Sequence, residues 1–137
     1  MIEEVIFLDT SFLVAYYNKK DEHHKKARRW VEKVRFKKLV LVISDYVFDE
    51  LLTVVLVRRG KDFSIQAGRK LRKDKRIFMI RVSENIFEEA WKIYEDFKDK
   101  KWSFTDCTSY KLIESLGIRK AASFDEHFKE FGIEIVG

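Results

Sequence analysis

Phe7-Leu8-Asp9-Thr10-Ser11 decides the fold, because there an apolar run stops at a carboxylate. The stretch Ile2-Glu3-Glu4-Val5-Ile6-Phe7-Leu8 ends in that continuous apolar run. It is short and partly β-branched, which predicts a strand buried on both faces. Strands of that kind belong to parallel sheets, and parallel neighbours are joined by crossovers, usually helical. The remaining sequence supplies such crossovers. Asp9-Thr10-Ser11 offers caps for a short helix through Tyr17, and Asp21 for a helix over residues 22–36. Residues 39–43 form a second apolar strand. Ser44 or Asp45 caps a helix to about Arg59, which Gly60 ends, and Asp62 opens another to about Lys73. Residues 77–82 predict a third strand and Ser83 caps a helix through Phe97. A charged loop, 98–101, leads to a helix opened by Ser103 or Thr105 and ending near Gly117. Residues 120–123 are a short strand, 124–131 a helical turn and 133–136 a last strand. This alternation predicts one α/β domain over residues 1–137, with a central, mostly parallel sheet flanked by helices.

Composition bounds the function classes. The chain has 137 residues, 46% of them hydrophobic and 37% charged, enough apolar residues for a real core. There is no proline, Gln66 is the only glutamine, and Asn18 and Asn85 are the only asparagines, a heat-adapted pattern. The net charge of +5 permits an anionic partner such as nucleic acid. Cys107 is the only cysteine, which excludes an intramolecular disulfide and a cysteine-based zinc site. The first residues lack the basic start and long apolar core of a signal peptide, and no apolar run could span a bilayer. The expectation is a soluble cytoplasmic protein with no membrane partner.

Four acids stand where chemistry collects. Ligands of open parallel sheets bind beyond the carboxyl ends of the strands. Asp9 follows the first strand and Asp125 the fourth. Val47, Glu50, Leu51 and Val54 fall at i, i+3, i+4 and i+7, so Glu50 lies on an apolar helical stripe. A carboxylate there needs a compensating partner. Asp106 shares a face with Tyr110 and Ile113 in the first turn of its helix. Each acid alone is also an ordinary capping or loop residue. Together they form a set that repels itself unless a cation is present. Oxygen ligands suit Mg²⁺ or Mn²⁺, ions that activate water and stabilise charge on a phosphoryl group. A phosphodiester substrate would reconcile an acidic site with a basic chain.

The segments Phe7-Leu8-Asp9-Thr10-Ser11, Ser44-Asp45-Tyr46-Val47-Phe48-Asp49-Glu50, Ser103-Phe104-Thr105-Asp106-Cys107 and Ser123-Phe124-Asp125-Glu126-His127-Phe128 resemble the successive motifs of the PIN domain. Within that family the chain is similar to the VapC branch of toxin ribonucleases. The resemblance covers essentially the whole chain, in order. It implies a PIN-like three-layer sandwich and Mg²⁺- or Mn²⁺-dependent cleavage of RNA that leaves a 5′-phosphate and a 3′-hydroxyl. It assigns the four acidic positions to Asp9, Glu50, Asp106 and Asp125, both as metal ligands and as catalytic residues. Thr10 and Thr105 take the hydroxyl positions that orient them. It also implies a homodimer held by a small VapB-like antitoxin. A nuclease of ribosomal-RNA processing, or a PIN module that binds RNA or a partner without cutting, remain alternatives.

Other residues carry weaker signals. His23 and His24 read as solvated surface, His127 as packing or capping, and Cys107 as a small core residue. Asp45 and Asp49 read as cap and solvent-face residues. Two basic stretches, residues 25–38 and 58–76, are either phosphate contacts or solvated helix faces. Within the second, Arg58, Arg59 and Lys61 are favoured as RNA contacts because they end the Glu50 helix. Some aromatic residues near the Asp9 and Glu50 helices are candidates for a dimer or antitoxin groove. A phosphatase of the HAD type needs a second acid where Ser11 stands. A phospho-acceptor domain needs one where Ser83 stands, and no Gly-rich loop supports a Walker-type nucleotide site.

Overall fold

The computed structural model describes residues 4–137. Five strands, β1 (Glu4–Leu8), β2 (Leu39–Ser44), β3 (Ile77–Ile80), β4 (Lys120–Ala122) and β5 (Glu134–Val136), form one sheet in the order β3-β2-β1-β4-β5. Every pairing is parallel, with Ile6 opposite Leu41 on one side and opposite Lys120 on the other. The helices are α1 (Thr10–Tyr17), α2 (His24–Val34), α3 (Asp45–Arg59), α4 (Lys61–Lys73), α5 (Glu84–Asp96), α6 (Phe104–Leu116) and α7 (His127–Glu130). The chain moves outward from β1 to β3, then crosses back to β4. Right-handed crossovers therefore put α1–α4 on one face and α5–α7 on the other, a three-layer α/β sandwich.

The sheet is central because β1 is central. Ile6, Phe7 and Leu8 are buried between the two layers, and Phe7 has no exposed surface. Each such side chain contributes about 1.5–3 kcal/mol by leaving water. Phe12 and Leu13 of α1, Leu51 of α3, Ile113 of α6 and Phe128 of α7 close over it. On one side α3 and α4 pack closely because Gly68 carries no side chain. A Cβ there would stand 2.9 Å from Leu52 Cδ2. Among the described residues no helix is long and apolar enough to cross a membrane.

Most boundaries fall within two residues of the sequence expectation, and three that differ do so through a side chain capturing a backbone group. The α2 helix starts at His24, not at residue 22, because Asp21 Oδ1 accepts from His23 N at 2.9 Å and closes a local turn. The third strand stops at Ile80 because Val82 N donates to Asp45 Oδ1 at 2.9 Å instead of continuing the ladder. The α7 helix shrinks to His127–Glu130, since Ser123 Oγ and Asp125 Oδ1 accept the amides of Asp125 and His127. The expected start of the first strand at Ile2 and Glu3 lies outside the described residues.

The α6 helix ends in a Schellman motif. Gly117 sits at φ 67°, its N–H donates to Glu114 O, and Ile118 N donates to Ile113 O at 3.0 Å. Only glycine adopts that conformation without a Cβ penalty. Gly117→Ala is expected to lower the free energy of unfolding by about 1 kcal/mol, read from urea denaturation. An unchanged midpoint would show that the left-handed cap contributes no stability.

Candidate active site

The site begins where β1 ends. Between β1 and β4 the chain's direction of travel across the sheet reverses, and a crevice opens there at the carboxyl ends of the strands. Asp9 N donates to Ala122 O at 3.0 Å, which extends the β1–β4 ladder to the acid itself. Asp9 also caps α1, accepting from Ser11 N at 3.3 Å. Its Oδ2 takes two further hydrogen bonds, from Ser11 Oγ at 2.7 Å and from Ser123 Oγ at 2.8 Å. All three bonds fall on the same oxygen; among the described residues Oδ1 accepts none.

The other acids arrive from separate elements. Ser44 caps α3 through Val47 N and sets the helix phase that carries Glu50. Val47 and Leu51 are fully buried, whereas Glu50 is half-buried at the edge of that stripe, where the cavity begins. Asp106 is buried at the third position of α6 and closes a capping box. Its Oδ2 accepts from Ser103 N while its own N–H donates to Ser103 Oγ, both at 3.0 Å. Asp125, in the turn after β4, uses Oδ1 to accept from His127 N. His127 Nδ1 lies 3.1 Å from both Asp106 Oδ2 and Asp125 Oδ1. A carboxylate only accepts, so Nδ1 carries the proton and bridges the two acids.

Asp9, Glu50, Asp106 and Asp125 therefore share one open cavity of about 620 Å³, together with Thr10, Ser11, His23, Arg58, Phe124 and His127. Asp106, Asp125 and His127 each offer a ligand atom, all within 4.8 Å of one another. Eight carboxylates line the cavity against one arginine, Arg58. Asp9 carries the consequence. Burial, with Asp106 and Asp125 adding repulsion, pushes its carboxyl from 3.8 up to about 7 despite the Ser11 and Ser123 hydrogen bonds. Burial, then the same two acids, also raises the Glu50 carboxyl, and the Thr10 hydroxyl offsets part of that shift. Thr10 Oγ1 is buried yet makes no hydrogen bond of good geometry. Among the described residues a carboxylate cluster with free oxygens, a near-neutral member and no lysine fits a hard divalent cation.

Not every expected residue joins the site. Thr105 is half-buried but does not line the cavity; its backbone oxygen accepts from Thr108 Oγ1. Ser103, Ser11 and Ser123 do the orienting instead. Ser11 and Ser123 are two residues on from Asp9 and two before Asp125, spacings at which a hydroxyl caps a neighbour. Arg58 reaches the cavity and pairs with Asp21 at 3.6 Å. Arg59 turns away to donate to Asn18 Oδ1 at 2.6 Å and cover the Phe63 ring. Lys61 is exposed at the start of α4 and lines neither place. His23 and His24, expected in solvent, are half-buried. His23 stacks on Phe124 with centroids 4.5 Å apart, and His24 Nδ1 meets Ala15 O at 2.7 Å. Cys107 is a buried core residue, as read from its helix position.

The comparisons with known proteins come to the same fold. The PIN domain family model matches residues 6–134. The 23S rRNA-specific endonuclease VapC20 of Mycobacterium tuberculosis is 30% identical over 129 residues, covering 93% of this chain and 95% of VapC20. The crystal structure of VapC20, described as a sarcin–ricin loop cleaving toxin, matches with a TM-score of 0.85 at 29% identity, over 93% of this chain and 95% of that one. DNA-bound VapBC from Salmonella typhimurium matches the fold alone, with a TM-score of 0.68 at 16% identity over 99% and 98% of the two chains.

The Asp9 shift has a definite sign. Its folded value near 7 lies above its unfolded value, so the folded state binds the extra proton between them. Without a divalent ion, stability should fall as pH rises from about 4 to about 7 and stay low above that. Asp9→Asn should remove the Asp9 part of this decline and raise stability at pH 8 by up to about 4 kcal/mol. Parallel stability–pH curves for the two proteins in chelator would contradict the assignment.

Proposed function

The chain belongs to the PIN domain family, and from that premise we propose that it is a divalent-metal-dependent endoribonuclease acting as a VapC-type toxin. The observation that carries this reading is the convergence of Asp9, Glu50, Asp106 and Asp125 on one cavity, each leaving a carboxylate oxygen uncommitted. Mg²⁺ or Mn²⁺ held by these acids would lower the pKa of water and stabilise negative charge on the phosphate. The likeness to a 23S rRNA-specific endonuclease makes the sarcin–ricin loop of ribosomal RNA the substrate we infer. A small VapB-like antitoxin and a homodimeric assembly follow from the same kinship, and cytoplasmic action from the substrate.

The protein's own part is orientation and exclusion. Ser11 and Ser123 hold Oδ2 of Asp9 and leave Oδ1 free for a ligand. Ser103 does the same for Asp106 from the helix cap. The His127 Nδ1–H ties Asp106 to Asp125 and keeps two repelling groups in register. Pinning one oxygen and freeing the other is how outer groups set a metal ligand's direction. Among the described residues Arg58 is the one arginine or lysine lining the cavity, placed to meet a phosphate that enters an otherwise negative site. No histidine is required as a general base.

Purified protein is expected to cleave a sarcin–ricin RNA hairpin with Mg²⁺ or Mn²⁺ and to stop in EDTA. Asp106→Asn keeps the helix cap, because its amide oxygen can still accept from Ser103 N, and should lower kcat by roughly 100-fold or more. Cleavage that persists in chelator, or wild-type rates in Asp106→Asn, would sink the reading. RNA association without turnover under any divalent ion would favour a binding module.

A further inference from the structure

A second cleft, about 690 Å³, lies on the other side of the turn that joins α1 to α2. Consecutive residues mark the divide: His23 lines the acidic cavity and His24 lines this cleft. Its charge is opposite. Six basic side chains surround it against one carboxylate, Asp74, a surplus of five that equals the net charge of the whole chain. Asp74 is already satisfied by Arg76, with Nε at 3.0 Å and Nη2 at 2.7 Å. Lys19, Arg28, Lys70, Lys73 and Lys75 make no ion pair among the described residues. Tyr16 and Tyr17 add aromatic surface to the wall.

Consecutive arginines of α3 face the two sides. Arg58 stands in the acidic cavity, and Arg59, its neighbour on α3, lines a small pocket of about 120 Å³. That pocket shares Tyr17, Lys19 and Lys70 with the basic cleft. Basic side chains thus continue from the small pocket into the cleft through the shared Lys19 and Lys70, while Arg58 marks the acidic side. An acidic cavity repels a polyanion, so a substrate needs attraction supplied outside it. Several unpaired cations with aromatic rings beside them, spread along an open cleft, suit a nucleic-acid backbone better than a compact anion.

We propose that the cleft bounded by α1, α2 and the end of α4 is an anchoring subsite for the RNA backbone that flanks the scissile phosphate, with Lys70 and Lys73 as its principal phosphate contacts. The proposal rests on the nuclease reading and adds where the substrate is held. Its consequence is that affinity and cutting are supplied by different, oppositely charged surfaces. Arg76 is a positioning residue for the wall, not a phosphate contact, because Asp74 occupies its guanidinium.

The test compares two charge reversals of equal size. Lys70→Glu with Lys73→Glu alters the cleft; Lys98→Glu with Lys101→Glu alters an exposed loop that lines none of these cavities. All four side chains are exposed, so the core is untouched. Binding of a fluorescein-labelled sarcin–ricin RNA hairpin is measured in EDTA, where turnover is absent. The cleft pair should raise Kd by about tenfold or more and reduce the slope of log K against log salt by about two. The loop pair should change Kd by less than about threefold. Equal losses in both pairs, or no loss in the cleft pair, would overturn the subsite. Cleavage in Mn²⁺ is scored separately: a wild type that never cuts, while the cleft pair still loses binding, defeats the nuclease reading and leaves the subsite standing.

Discussion

A carboxylate at the end of the central strand, buried and, among the described residues, without a cation beside it, is the constraint on which the rest of the structure turns. Asp9 is 2% exposed and cannot move away, because its backbone continues the ladder to Ala122 and its side chain begins α1. Burying a charge of this kind is costly unless it is compensated. Serine hydrogen bonds compensate part of that cost, and the raised value near 7 measures what they leave. The fold therefore holds an electrostatic deficit at one fixed point, and Asp106 and Asp125 deepen it. A divalent cation removes the deficit directly; a proton removes it only for Asp9.

This view explains why the supporting residues take the forms they do. Each support holds one carboxylate oxygen and leaves the other: serines on Asp9, a capping box on Asp106, a turn amide and His127 on Asp125. A lysine in the same places would satisfy the charge and displace a metal. The cations instead collect across the α1–α2 turn. Separation of sign lets one small domain attract a polyanion and still keep a site acidic enough to hold hard cations. Neither surface would serve if the two were mixed.

Much of this was legible in the sequence. The unbroken Val5–Leu8 run predicted a doubly covered strand, and Asp9 at its end pointed to the crevice without any knowledge of the fold. The helical phase of Glu50 put a carboxylate against apolar neighbours, although the structure moves it to the edge of the stripe, half-buried. What stayed hidden depended on contacts between distant segments. Ser11 and Ser123 lie 112 residues apart, and their shared grip on Asp9 exists only once β4 pairs with β1. Thr105 looked equivalent to Ser103 by composition, but the capping geometry selects the serine. The basic stretch over residues 58–76 read as either solvated or functional. Only the fold sets the end of α4 across a cleft from Lys19 and Arg28 and so gathers these basic residues in one place.

The most direct test of the account is the thermal stability of the wild-type chain as a function of pH with and without Mn²⁺. An ion that binds the native carboxylates stabilises that state, and protons compete for the same oxygens. The account predicts a clear rise in Tm with Mn²⁺ at pH 7.5 that fades as the pH is lowered to about 5, and a rise in Asp9→Asn that is markedly smaller at every pH. A shift of equal size at both pH values, or one that Asp9→Asn retains in full, would contradict the claim that these buried acids are built around a divalent ion.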